Sequence, residues 1–442
     1  MSLSAPTPVP TDICTLSHPT GELEGVVKLD GSKSLTNRAL IIQALCKESF
    51  EIHHGSTSDD STTLTELLAS QGDTYDAGHG GTTLRFLTAY LAVQKGTQLL
   101  TGSKRLCKRP IGALVDALRE IGARIDYEGL EGYPPLRIHP FKEQSAQAIE
   151  IDAGVSSQFI SALLLIAPIL PKGLHLTLTG ERVMSKPYID MTLHLMRHFG
   201  VAFKRDGRTV DVRPGAYKAK DIYIEADWSA ASYYYAMAAL ADSASLELHG
   251  LKRNSFQGDA IVQKMLHDFG IQTKFTPDGI RIKKKFLNSR RSLEWNFEDC
   301  PDLAQTIVVL CAGLNIMGLF YGMQTLHIKE TDRIAALQQE LRRFNVSFVK
   351  MPERFSKEPG REYYMLEGRV NMKTIMEPVA TYNDHRMALS FAPLALLGDV
   401  RIENPAVVSK SYPQFWEHLE SLGFEVEYGE RVDAFAAPTA TE

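Results

Sequence analysis

Cysteine is scarce and scattered. Cys14, Cys46, Cys107, Cys300 and Cys311 are odd in number and never spaced C-x-x-C, which excludes a disulfide framework or a zinc site and fits a reducing cytosol. Long apolar runs are missing as well: the longest nearly apolar stretch, Phe159 to Leu170, is too short to cross a bilayer. Positive charge is not in excess, since 48 Lys and Arg face 53 Asp and Glu for a net charge of -5. With no broad basic field, nucleic acid is not an expected partner. Any cationic site must therefore be local. The opening MSLSAPTPVPTD has neither the basic start nor the apolar core of a signal peptide. It and the small-residue tail after Val432 read as frayed ends of a cytoplasmic protein.

What is present is a repeated design. At 442 residues the chain exceeds the size of one ordinary core, so two lobes are expected. Six amphipathic segments end in a Gly or Asn stop and lead into a short alternating strand. Their stops are Gly72, Gly122, Gly200, Gly270, Asn345 and Gly423, residue types that tolerate a left-handed cap. After a short first gap they lie about seventy to eighty residues apart, longer than common solenoid repeats. Between them run SLTNRALIIQAL, GGTTLRFLTAYLA, SSQFISALLLIAPIL, WSAASYYYAMAAL, PDLAQTIVVLCAGL and DHRMALSFAPLALL. Each has a polar or glycine-rich start and an almost wholly apolar body, and a helix apolar on all sides must be buried on all sides.

The unit reads strand, buried helix, strand, amphipathic helix, strand hairpin. Six units predict an α/β protein of two pseudo-symmetric lobes, an inside-out α/β barrel with helices inside and sheets outside. The first unit is short, because DTYDAG leads from Gly72 straight into the next buried helix. Crossings between lobes are expected near Asp30 and Glu225. Residues 31–225 then form an inserted lobe, and residues 1–30 with 226–442 a discontinuous one.

Converging interior helices would bring their polar starts together. Those starts carry Lys33, Ser34 and Arg38, then Gly81 and Thr82, then Ser156, Ser157 and Gln158, then Asp227, Asp302, Asp384, His385 and Arg386. Loops add Arg109, Ser185, Lys186, Tyr188, Lys329, Glu330, Arg333 and Lys410. Each segment has a plain explanation: SSQ, NDHR and Asp302 as helix caps, KETDR as a solvated helix start. One polar start in every repeat is harder to explain by capping, and it describes a site for small polyanions.

The segments GSKSLTNRAL, GGTTLRFLTA, LCKRPIGALVDAL, VSSQFISALLL, SKPYIDMTLHLM, ADWSAASYYYA, NSFQGDA, PDLAQT, KETDRIAAL, YNDHRMALSF and SKSYPQFW, from Gly31 to Trp416, resemble the enolpyruvyl transferase family in the family's order. The resemblance implies two lobes of six βαβαββ units with a site in the cleft. It implies transfer of the enolpyruvyl group of phosphoenolpyruvate to the 5-hydroxyl of shikimate-3-phosphate, with release of phosphate, on the route to chorismate and aromatic amino acids. It matches Lys33, Ser34, Arg38, Ser156, Ser157, Gln158, Ser185, Tyr188, Asp302, Thr325 and Lys329 to shikimate-3-phosphate. Lys33, Gly81, Arg109, Gln158, Arg333, Arg386 and Lys410 match phosphoenolpyruvate contacts. Asp302 matches the carboxylate that takes the hydroxyl proton, with Glu330, Lys33, Lys329 and His385 completing the catalytic set. No metal or cofactor is implied, and the expected protein is a monomer whose lobes close on shikimate-3-phosphate.

Five positions depart from the family pattern: Asp30, His79, Phe86, Lys108 and Thr325, the last replacing an Asn that helps hold ring hydroxyls. They put substrate affinity and sensitivity to the family inhibitor glyphosate in question, although Gly81 leaves room for that inhibitor. A sister transferase acting on a uridine-diphosphate aminosugar, UDP-N-acetylglucosamine, is the enzyme alternative; it has Lys-Asn where this chain has Lys33-Ser34. A phosphometabolite-binding protein without catalysis would keep the cations and lose Asp302, Glu330 and His385, all of which are present.

Overall fold

The computed structural model describes residues 12–154, 156–285, 290–374 and 377–429. The opening residues before Asp12 and the tail after Gly429, read above as frayed ends, lie outside the described residues.

The interior helices form where the apolar runs demand them. They are Lys33–Leu45, Gly81–Leu91, Ser157–Ile166, Trp228–Leu240, Ala304–Gly313 and His385–Phe391. Trp228–Leu240 is the extreme case. All its residues but Ser229 are buried, and its tyrosine hydroxyls find partners inside: Tyr234 with the Tyr412 hydroxyl at 2.6 Å and Tyr235 with the Thr273 hydroxyl at 2.7 Å. Without those bonds, burial of each hydroxyl would cost a few kcal/mol, on the order of 1–3.

Two separate hydrophobic cores result. One gathers residues from Leu35 to Ile224; the other joins Cys14–Leu29 to residues Ala226–Phe424. In the first, Gly81–Leu91 packs on Ser157–Ile166; in the second, Trp228–Leu240 and His385–Phe391 both pack on Ala304–Gly313.

Four sheets share one plan. In each, two strands joined through an interior helix pair in parallel, and a hairpin adds two antiparallel strands beside the second. Ala148–Asp152 and Leu174–Thr179 are such a parallel pair, extended by Thr209–Val212 and then Phe203–Asp206. Ser292–Asn296 with Met317–Tyr321, and Thr74–Asp76 with Gln98–Thr101, begin sheets of the same order. The fourth pairs Glu22–Lys28 with Ser243–His249. A three-stranded sheet has Ile13–Ser17 between Val400–Glu403 and Glu425–Gly429. Its rudimentary parallel partner is the single bridge from Val379 to Ile402.

The sheet of the first unit is reduced to two residues on each side, Ile52–His53 paired in parallel with Ile222–Tyr223. No strand lies between Ala69 and Thr74, so the hairpin expected to be missing is missing among the described residues. Five of the six stops hold: Gly122, Gly200, Gly270, Asn345 and Gly423 all have positive φ. Gly72 does not. The helix Asp59–Ala69 ends at Ser70 in an extended conformation, before a glycine cap at Gly72 can be reached. The segments around Asp30 and Glu225 run side by side: Gly31 bridges Ala226, Ser32 N–H donates to Glu225 O at 2.8 Å, and Asp227 N–H donates to Asp30 O at 3.1 Å.

Candidate active site

The interior helices of both cores turn their polar starts towards one cavity, lined from both sides of the chain. On one side stand Lys33, Ser34, Gly81, Arg109, Ser156, Ser157, Gln158, Ser185 and Tyr188; on the other stand Asp302, Thr325, Lys329, Glu330, Arg333, His385 and Arg386. Groups more than 350 residues apart in the chain thus share one cavity.

Local structure explains several placements. Ser156 caps its helix by accepting from Gln158 N–H, and this frees Ser157 to face the cavity. Gln158 is held by its neighbours, accepting from Arg85 at 2.6 Å and donating to the Thr82 hydroxyl at 2.8 Å. A Cβ at Gly81 would lie 2.5 Å from one Arg109 nitrogen and 2.9 Å from one of Arg85, so any side chain there displaces those guanidiniums. Asp332, not Glu330, caps the helix Arg333–Arg343, so KETDR is not a solvated start. Asp332 accepts from Ala335 N–H, while Lys329 and Glu330 face inward. Asp302 caps nothing; it sits in a short 3-10 turn and its carboxylate goes to arginines.

The ion pairs interlock. Asp302 contacts Arg333 at 3.2 Å and Arg386 at 3.0 Å, and accepts from the Tyr188 hydroxyl at 2.8 Å. Glu330 contacts Arg333 at 2.8 Å and reaches across to Arg109 at 3.5 Å. Asp384, completely buried, holds Arg333 at 2.7 Å. Lys33 pairs with Asp60 at 3.2 Å, and its backbone N–H donates to Asp227 at 3.3 Å. Arg105 donates to the carbonyls of Glu330 and Lys329 at 2.9 and 3.2 Å, a further tie across the cavity.

The chain matches the family model for EPSP synthase (3-phosphoshikimate 1-carboxyvinyltransferase) over residues 17–77 and 64–419. This chain belongs to the EPSP synthase family. A 3-phosphoshikimate 1-carboxyvinyltransferase of Bacteroides fragilis is 43% identical over 417 residues, covering 94% of this chain and 99% of its own. One of Sulfurovum sp. is 34% identical over 430 residues, with 90% and 97% covered. An EPSP synthase of Acinetobacter baumannii, a solved structure 20% identical, superposes with a TM-score of 0.74 over 94% of this chain and all of that one. At that identity the likeness speaks for the shared fold.

For this EPSP synthase family member, four residues singled out from sequence, Arg38, Lys186, Asp384 and Lys410, do not line the cavity. Arg38 is buried beneath it. Its guanidinium donates to the Thr192 and Ser161 hydroxyls at 2.7 and 3.0 Å and to the Ser34 carbonyl at 2.8 Å, and lies over the Phe86 ring. Burial lowers its pKa to about 10. Lys410 stands at the edge, its ammonium donating to the Asn383 carbonyl at 2.8 Å, while its backbone carbonyl accepts from Lys33. Conversely, Arg85, Asp60, Ser229 and Tyr233 line the cavity and were not singled out. Arg85 was findable, being a lone charge inside the apolar run GGTTLRFLTA. Asp60 was not, because only the fold brings it to Lys33.

Burial and charge divide the titratable groups. Burial opposes ionisation of Asp302, but Arg386, Lys329 and Arg333 outweigh it and hold the carboxyl far below its usual range. Glu330 is likewise buried yet driven well down by Arg333 and Arg109. Burial, then Lys33 and Arg386, keep His385 neutral, and neither of its ring nitrogens has a hydrogen-bond partner. Burial lowers Lys329 to about 8. Arg85 is pushed well down, by burial and by Arg109 beside it. Six cations, Lys33, Arg85, Arg109, Lys329, Arg333 and Arg386, thus outnumber four lining carboxylates, Asp60, Asp227, Asp302 and Glu330, and polar atoms on His385, Thr325 and Arg109 have no hydrogen-bond partner.

Proposed function

We propose that this cavity binds shikimate-3-phosphate and phosphoenolpyruvate together, and that the chain transfers the enolpyruvyl group to the 5-hydroxyl of the first, releasing phosphate. The observation that carries the reading is the convergence of Lys33, Arg85, Arg109, Lys329, Arg333 and Arg386 on one buried cavity in a chain of net charge -5. Two phosphate monoesters at roughly -1.5 to -2 each, plus two carboxylates, supply the anions such a site lacks. Guanidinium forks bind two oxygens at once and suit both groups.

In this reading residues 31–225 form one lobe, and residues 1–30 with 226–442 the other. Ser156, Ser157, Gln158, Ser185 and Tyr188 hold shikimate-3-phosphate with Lys33 and Ser34, and Thr325 and Lys329 approach from the far wall. Arg38 acts from beneath, fixing Ser34. Gly81, Arg109, Arg333 and Arg386 hold phosphoenolpyruvate, with Gln158 between the substrates and Lys410 at the rim.

Protonation of the phosphoenolpyruvate methylene carbon makes its neighbour cationic, and the 5-hydroxyl attacks there; loss of phosphate from the tetrahedral adduct, together with a proton from the new methyl group, restores the double bond. Asp302 takes the hydroxyl proton and is already ionised for that task. Glu330 delivers the proton to carbon. In the empty site Arg333 and Arg109 hold it ionised, but substrate oxygens that draw those guanidiniums away raise its proton affinity where a donor is needed. Lys33 and Lys329 offset charge on the reacting oxygens. His385 is the neutral neighbour of Glu330.

The decisive assay is phosphate release from phosphoenolpyruvate with shikimate-3-phosphate, run beside UDP-N-acetylglucosamine as acceptor and with Asp302→Ala. Release with shikimate-3-phosphate alone and its loss in the variant are expected. Release only with the aminosugar, or wild-type rates in the variant, rejects the reading.

A further inference from the structure

The segment NSFQGDA takes no part in the mechanism above, yet it packs directly behind the cavity wall. Gln257 locks it there. Its amide donates to the Ala226 carbonyl at 2.8 Å and to Glu225 at 3.1 Å, and its oxygen accepts from Trp228 N–H at 3.0 Å. Gly258 allows the approach, since a Cβ would meet the Asp299 carbonyl at 2.5 Å. The next residue, Asp259, is 3% exposed. One carboxylate oxygen accepts from the hydroxyl of Ser229, which lines the cavity; the other, Oδ1, is buried with no partner.

An ionised carboxylate with one oxygen buried and unbonded is costly, and a neutral carboxyl is the natural way out. The neighbours act on it from several elements. Burial raises its pKa to about 7, helped by the Asp302 carboxylate and by Asp227, and opposed by Arg386 and by the Ser229 hydroxyl. Cys300 and Tyr188 also face it: burial raises both, with the Asp259 charge adding to the rise of Cys300, and the Asp302 and then the Asp259 charge to that of Tyr188.

We propose that Asp259 is a positioning residue which, acting through Ser229, sets whether this part of the wall donates a hydrogen bond to a substrate oxygen or only accepts one. When neutral, the Asp259 O–H donates to Ser229 Oγ, and the serine proton is free to turn into the cavity. When ionised, Asp259 captures the serine proton and leaves only lone pairs facing the substrate. The single proton involved exchanges with solvent before the site is filled, and no covalent bond to carbon changes. A polyanion arriving in front of Ser229 disfavours the ionised state, so shikimate-3-phosphate binds the neutral state better. The inference rests on the substrate reading given above.

The test measures KM for shikimate-3-phosphate at about pH 6 and about pH 8, on either side of the value near 7, in wild type, Asp259→Asn and Ser229→Ala. Wild type is expected to show a KM rise of about fivefold or more between the two, since a proton needed for binding is lost across that interval. Asp259→Asn, neutral throughout, should keep the low KM and change less than about twofold beyond the contribution of the second phosphate ionisation, near pH 6, and of Lys329, which all forms share. Ser229→Ala should raise KM about two- to tenfold, the worth of one hydrogen bond, and flatten the rise as well. An Asp259→Asn or Ser229→Ala enzyme that keeps the wild-type rise overturns the proposal. Should the Asn variant fail to fold, Ser229→Ala alone decides the kinetics. Infrared spectroscopy of the ligand-free wild type supplies the independent readout: a protonated-carboxyl band at about pH 6 that is lost at about pH 8, against its absence, which overturns the proposal. If wild type releases no phosphate at any pH, the substrate reading fails, while the infrared band still judges the Asp259 proton.

Discussion

The two walls of the cavity are built from different chemistry. The wall from residues 31–225 offers hydroxyls, an amide and cations, with Asp60 as its acid. The facing wall interleaves acids with bases, so that Asp302, Glu330 and Asp384 all touch Arg333. Groups that hold a ligand can be fixed in one charge state. Groups that move protons need neighbours able to change partners, and a network in which one guanidinium serves three carboxylates provides that. On the proposed reading, the comparison assigns the first wall the part of a clamp and the second the handling of protons.

The largest expected effect lies on the second wall. Asp302→Ala should lower kcat by about 10²- to 10⁴-fold while KM for either substrate moves little, as for loss of a general base; steady-state kinetics checks it, and a pure KM effect would erase the contrast between walls. Arg333→Met should lower activity and also destabilise the fold by about 3–5 kcal/mol, because Asp384, with 0% of its side chain exposed, loses its buried partner. Denaturant unfolding reads that loss.

On the clamp side, Gly81→Ala forces Arg109 aside. The expected result is KM for phosphoenolpyruvate raised about tenfold, the worth of one charge-assisted bond, with kcat nearly kept. A kcat effect of the same size would show that the first wall shares in the chemistry. A pH profile sharpens the contrast further. Lys329 carries its charge below about 8 and loses it above, so kcat/KM should fall as pH rises through that value, approaching tenfold per unit.

The smallest signal is geometric. The free interior amounts to about 100 Å³, and ties such as Tyr188 to Asp302 span it, so the walls must part to admit a substrate and re-form behind it. Small-angle scattering with shikimate-3-phosphate should show a smaller radius of gyration than without. Equality of the two would mean that the walls do not move.

Much of this was legible in the sequence. The six apolar runs could only be interior, and their polar starts could only be costly unless shared. The stops at Gly122, Gly200, Gly270, Asn345 and Gly423 follow from local backbone chemistry alone. Gly72 misled because its helix ended before reaching it, at a boundary set by packing. Arg38 misled for a related reason: a guanidinium one turn into a helix serves the ligand or the neighbouring helix according to a crossing geometry that spacing does not encode. Asp60 and Ser229 gave no signal, since ordinary polar residues become site residues only when another element is laid against them.

The strand Ile13–Ser17 sits between two strands from the last thirty described residues, and Glu22–Lys28 pairs with a strand more than two hundred positions later. On the ribosome, the stretch from Lys33 to Tyr223 can therefore collapse onto itself while synthesis continues. The first two strands must wait unpaired, Glu22–Lys28 until just past the middle of the chain and Ile13–Ser17 until almost its end, which makes them the part of the nascent chain most in need of a chaperone.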